Sequence, residues 1–154
     1  MSMPPGLLRA LIRATSDRVG LWTPAVETQL LMIAAHESKL GRWLRQTNGP
    51  ALGIWQMEPA THDDCLANVV PRRAEFQRAL RVYAFDHGLV ADTMIHNHAY
   101  ACLMARLQVW RVREILPAAE DIEGHARYAK NHWNTPAGRA TVRNYADAYR
   151  EMVL

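Results

Sequence analysis

The feature that most constrains the fold is the run 92–113, where apolar residues return at helical spacing: Ile95, Ala99, Cys102, Leu103, Leu107 and Trp110. Pro117 closes it. Shorter runs of the same kind flank it. Residues 5–19 carry Leu7, Leu8, Leu11 and Ile12 and stop at Gly20. Thr23-Pro24 reads as an N-cap followed by proline at the first helical position. That predicts a helix to about Lys39, with Val26, Leu30, Ile33 and Ala34 on its core face and Gly41 just beyond its end. Thr61-His62-Asp63-Asp64 starts a short helix, and 71–85 is another, with Phe76, Leu80 and Tyr83 on one face. Stretches 121–133 and 136–153 complete the set, the last behind a second cap-plus-proline pair, Thr135-Pro136. Segment 51–58 reads as extended, ended by Pro59. The expected class is α+β, predominantly α-helical, with six to eight helices and one small β element.

A chain of 154 residues is one domain, 1–154. An apolar share of 49% allows a sizeable core and excludes disorder. No stretch approaches the roughly 20 apolar residues of a membrane span. The 18 basic against 15 acidic side chains leave a mild excess of +3. Such a balance favours polyanions weakly, whether nucleic acid or an acidic wall polymer. The basic residues are scattered and interleaved with acids, which counts against specific nucleic-acid binding. Cys65 and Cys102 form no Cys-x-x-Cys pair, so no structural zinc site is expected, and whether they pair with each other is open. Two prolines precede the first apolar residues and Arg9 and Arg13 interrupt them, so no secretory signal is read there, and synthesis in the cytoplasm is expected.

The chemistry concentrates in two places. In Ala34-Ala35-His36-Glu37-Ser38 an apolar helix ends on a carboxylate. Glu37 follows Ile33 by four positions and shares its packed side. Desolvation favours the protonated form of a carboxyl, which is the form a general acid needs. A glutamate near a helix C-terminus also opposes the helix dipole, which argues for a functional reason to keep it. His36-Glu37 is not a zinc-protease motif, because position 40 is leucine where a second histidine is required. The second place is Gly53-Ile54-Trp55-Gln56-Met57-Glu58-Pro59-Ala60-Thr61. As a strand it would put Ile54, Gln56 and Glu58 on one face and Trp55 and Met57 on the other.

These residues together resemble a known family. Glu37-Ser38 at a helix end, followed by Gly53, Gln56, Pro59 and Thr61, resembles the soluble lytic transglycosylases of the lysozyme superfamily, and the wording GIWQMEPATHDD resembles phage-encoded members. Asn131-His132-Trp133-Asn134-Thr135-Pro136-Ala137-Gly138 resembles the phage version of the later Tyr-Asn-x-Gly segment. The resemblance covers much of 34–141. It implies a lysozyme-like, two-lobed domain that cleaves the β-1,4 bond between N-acetylmuramic acid and N-acetylglucosamine in peptidoglycan. It implies Glu37 as the catalytic acid/base, with Ser38, Gln56 and Asn134 lining the cleft. Trp43 and Trp55 flank it and are candidates for sugar contact, and Thr61 is a further candidate there. No metal or other cofactor is required.

The sequence departs from the family at Glu58, where methionine is common. That glutamate is a candidate second catalytic residue, as in hydrolytic relatives that use two carboxyls. The lytic transglycosylase is slightly favoured. A muramidase using Glu37 and Glu58 is the main alternative, and a virion tail component with the same fold is another. The expected partners are peptidoglycan glycan strands, with a holin or virion tail proteins for delivery from the cytoplasm to the host periplasm. The expected state is a monomer.

Overall fold

The computed structural model describes residues 1–134 and 137–154 of the chain. They form a mostly helical fold with α1 Pro5–Arg18, α2 Pro24–Ser38, α3 Pro59–Asn68, α4 Ala74–Ala84, α5 Thr93–His96, α6 His98–Trp110, α7 Ile122–Ala129 and α8 Val142–Met152. Two helices organise the core. Every residue of α2 from Val26 to Ala35 is buried, and the helix packs against α1, α6, α7 and α8. A helix buried on all sides reads as apolar around its whole circumference, which is why its core extends beyond the single face expected from spacing. The second centre, α6, packs against α1 to α5.

Local chemistry explains most boundaries. Thr23 caps α2 by accepting a hydrogen bond from the Val26 N–H (3.1 Å), with Pro24 in the first turn. The helix ends as Lys39, Leu40 and Gly41 all take left-handed conformations (φ 50°, 56° and 86°). Pro59, expected to end an extended segment, instead opens α3. The run 92–113 is two helices and not one. Asn97 breaks it by leaving helical geometry and accepting from the Tyr100 N–H (2.9 Å), so it caps α6. The final helix starts at Val142, later than expected. Its cap is Thr141, which exchanges hydrogen bonds with Asn144 in a capping box. The expected cap at Thr135-Pro136 lies outside the described residues.

The small β element is corrected. Among the described residues there is no strand, only two single-residue antiparallel pairings, Arg45 with Leu52 and Leu52 with Met57. Residues 53–56 form a tight turn closed by Leu52 and Met57, which exchange backbone hydrogen bonds of 2.9 and 3.0 Å. Gly53 is required there. Its φ is +77°, and a Cβ would lie 2.8 Å from the Met94 carbonyl oxygen. Alternation therefore fails: Ile54 and Trp55 both enter the core.

Cys65 and Cys102 are separate, buried free thiols. Burial pushes both up to about 12.

Candidate active site

Glu37 sits in the last turn of α2, where the helix leaves the core. Its side chain keeps 19% exposure and opens on a cleft of about 450 Å³. Several parts of the chain build the walls. The turn after Gly53 supplies Gln56, and the start of α3 supplies Glu58 and Thr61. From α6 comes Gln108. The far wall is a π-helical turn, Lys130–Asn134, which contributes His132, Trp133 and Asn134. The extra residue of a π turn re-aims side chains that a regular helix would direct elsewhere, and such turns recur at functional sites. Here Lys130 braces the turn, donating to Asn134 Oδ1 (3.0 Å) and to the Gly138 carbonyl (2.7 Å).

The surroundings of Glu37 are specific. The Tyr145 hydroxyl donates to Glu37 Oε1 at 2.6 Å, and His36 Nδ1 lies 3.4 Å from the same oxygen. Tyr145 is fully buried, and its ring packs against that of His36 with centroids 4.1 Å apart. Burial, and then the adjacent Glu37 carboxylate, pushes the Tyr145 hydroxyl far above the ordinary tyrosine range. Tyr145 therefore remains a neutral donor at any physiological pH, and one oxygen of Glu37 is held in a fixed place.

The candidate residues sort into three groups. Glu37, Gln56, Glu58, Thr61 and Asn134 are brought together around the cleft. Gln56 holds a left-handed conformation (φ 50°) and donates from Nε2 to the Gly53 carbonyl (2.8 Å), so its amide is fixed by its own turn. Glu58 stands at the cap position of α3, but its side chain makes no capping hydrogen bond and is exposed. Two candidates are buried away from the cleft. Ser38 is fully buried, donates to the Ile54 carbonyl (2.5 Å) and accepts from the Gly41 N–H (2.8 Å). It stitches the end of α2 to the Gly53 turn and so places Glu37 relative to Gln56. Trp55 is 1% exposed, with Nε1 donating to the Leu30 carbonyl (2.9 Å). It is a core anchor, and a sugar ring has no access to it. Trp43 is a third case. It is 43% exposed, with Lys39 and Arg42 over its ring at 5.6 and 5.2 Å, beside the cleft wall and not in it. The cleft's own tryptophan is Trp133.

Sequence reasoning missed Tyr145, His132 and Gln108. Tyr145 lies 108 positions from Glu37, and no local spacing connects them. Its one signal was membership of the inward face of α8, with Tyr149 one turn on. Asp63 and Asp64 are engaged elsewhere, the first with His62 (2.9 Å) and the second with Arg111 and Asn68.

Chemically, the arrangement offers one carboxyl with a fixed oxygen, a second carboxylate with no ion pair among the described residues, and amides and an indole along the walls. That is the equipment of a polar, elongated substrate site with acid/base capacity. No protein-family model matches the chain, no curated protein matches it, and no solved structure matches it.

Proposed function

We infer that the chain is a peptidoglycan-cleaving enzyme with a lysozyme-like, two-lobed arrangement, acting on the β-1,4 bond between N-acetylmuramic acid and N-acetylglucosamine. The observation that carries this reading is Glu37 opening on the cleft while the buried Tyr145 hydroxyl holds one of its oxygens. The free oxygen of a protonated Glu37 gives its proton to the glycosidic oxygen as the bond from C1 breaks, and positive charge develops at the anomeric carbon. The resulting carboxylate is then the base. It takes the proton of the muramic acid 6-hydroxyl while that oxygen bonds to C1, closing a 1,6-anhydro ring. One carboxyl serves both halves, so no second acid is needed. Gln56 and Asn134, both lining the cleft, hydrogen-bond the acetamido and hydroxyl groups of the glycan in this reading. Trp133 offers a ring face for a sugar.

A specific observation supports the second reading, hydrolysis. The Glu58 carboxylate lines the same cleft and is committed to neither a cap nor an ion pair among the described residues. In that case Glu58 activates water or forms the glycosyl-enzyme bond.

Mass spectrometry of fragments released from purified peptidoglycan by the wild type, Glu37→Gln and Glu58→Gln tests both. Fragments ending in 1,6-anhydromuramic acid, abolished by Glu37→Gln and retained by Glu58→Gln, support the transglycosylase. Reducing ends, one water heavier and lost in both variants, support the hydrolase. Full activity of Glu37→Gln refutes both. Among the described residues no helix is long and apolar enough to cross a membrane. Delivery to the wall by a holin or a virion tail belongs to the same proposal.

A further inference from the structure

A second groove, of about 440 Å³, lies behind the catalytic glutamate. The end of α2 forms one wall, with His36, Lys39 and Arg42, and α8 forms the other, with Asp147 and Glu151. Positive side chains thus face negative ones. Among the described residues neither Lys39 nor Arg42 closes an ion pair, and neither does Glu151, while Asp147 meets only Arg143 of its own helix, at 3.4 Å. Opposite charges that face each other across a groove without meeting suit a ligand that is itself dipolar, with a cationic and an anionic end.

Adjacent residues at the end of α2 line the cleft and the groove. Glu37 lines the cleft and His36 lines the groove. The His36 ring packs on Tyr145, the donor that holds Glu37. Whatever occupies the groove therefore touches the residue that backs the acid.

We propose that this groove binds the peptide stem of peptidoglycan, through a residue that carries a free amine beside a carboxylate, as diaminopimelate does. The inference rests on the wall-cleaving reading above. The stem is attached to the muramic acid ring, the same ring whose C1 Glu37 acts on. An extended tripeptide spans about 10 Å, and the two sites are lined by sequence neighbours, Glu37 and His36. Glu151 takes the amine, and Lys39 with Arg42 takes the carboxylates. Strands that carry stems are then bound at two places and bare strands at one.

The test uses the whole protein and the synthetic tripeptide L-alanyl-γ-D-glutamyl-meso-diaminopimelate, with binding followed by calorimetry and by the His36 ring resonances. The expected result is binding to the wild type, weakened about tenfold by Glu151→Gln and further by Glu151→Lys, and weakened similarly when the free diaminopimelate amine is acetylated. Glu151 is exposed, so both variants fold, and unchanged melting temperatures verify this. In cleavage assays, stem-bearing strands are expected to react faster than strands stripped by an amidase. Glu151→Gln should shrink that ratio towards one and leave the stripped-strand rate unchanged. Absent binding, or equal affinity for wild type, variants and acetylated peptide, overturns the proposal. Tripeptide binding without cleavage of either strand type removes the glycosidase reading and leaves the groove assignment standing.

Discussion

The two ends of α2 carry two largely buried glutamates in opposite circumstances. Glu27, in the first turn, receives hydrogen bonds from Arg9 (2.8 Å), Trp22 Nε1 (3.1 Å) and Arg13 (3.3 Å). Burial works against its charge, but the Arg9 and Trp22 hydrogen bonds and the two guanidinium charges prevail and hold it below the ordinary carboxylate range. The helix dipole helps in the same direction. Glu37, in the last turn, is held by a neutral phenol, opposes the dipole and faces a cleft. One carboxylate is fixed as a charge and fastens α1 to α2. The other is fixed in position by a donor that carries no charge, which leaves its second oxygen for chemistry. Position in the same helix does not decide which; the partners do.

The sharpest way to break this comparison is to neutralise each end. Glu37→Gln should lower the cleavage rate about 1,000-fold or more, because the general acid is gone, with little change in melting temperature. Glu27→Gln should do the reverse. It removes the partner of two guanidiniums and should cost about 2 kcal/mol, a fall of about 4–8 °C in melting temperature, with activity per folded molecule retained. Similar rate losses in both variants would erase the distinction. Smaller in effect, Tyr145→Phe keeps the ring against His36 and removes only the hydroxyl. It should lower the rate about tenfold and leave the fold intact, which circular dichroism and steady-state kinetics on the glycan can verify.

The smallest effect is in pH. A depressed folded-state pKa means the unfolded chain takes up the proton first as pH falls. The stabilisation from Glu27 is whole above the ordinary carboxylate value of 4.5 and is lost as pH falls through its lower, folded-state value. Urea unfolding between pH 6 and pH 2.5 should show a steeper loss for the wild type than for Glu27→Gln. Parallel curves would mean that the ion-pair cluster holds nothing.

How much of this was legible depended on distance along the chain. Thr23-Pro24 specified the start of α2 because a cap and a first-turn proline act within three residues. Glu37, Gln56, Glu58 and Asn134 were singled out through the motif resemblance and the departure from it, and the cleft gathers all four. Asn97 was misread, since a polar residue inside an apolar run looks like the solvent face of one helix until its side chain is seen capping the next. Ser38 and Trp55 were misassigned for a related reason. Both are polar or amphipathic residues beside functional ones, and a buried hydroxyl or indole N–H needs a partner inside the protein as much as one on a ligand. Tyr145 was beyond local reasoning, because its contact exists only after α8 docks on α2.

That contact also sets when Glu37 acquires its held geometry. A ribosome adding about 5–20 residues per second needs on the order of 5–20 s to go from Glu37 to Tyr145. Throughout that interval the nascent chain holds the acid without the hydroxyl that fixes it. A chain that stalls before α8, or one clipped of that helix by a protease, keeps every residue of the Gly53 turn and yet lacks the hydroxyl that holds Glu37. The fixed geometry of Glu37 arrives with the last helix, so it is a late mark of a completed fold.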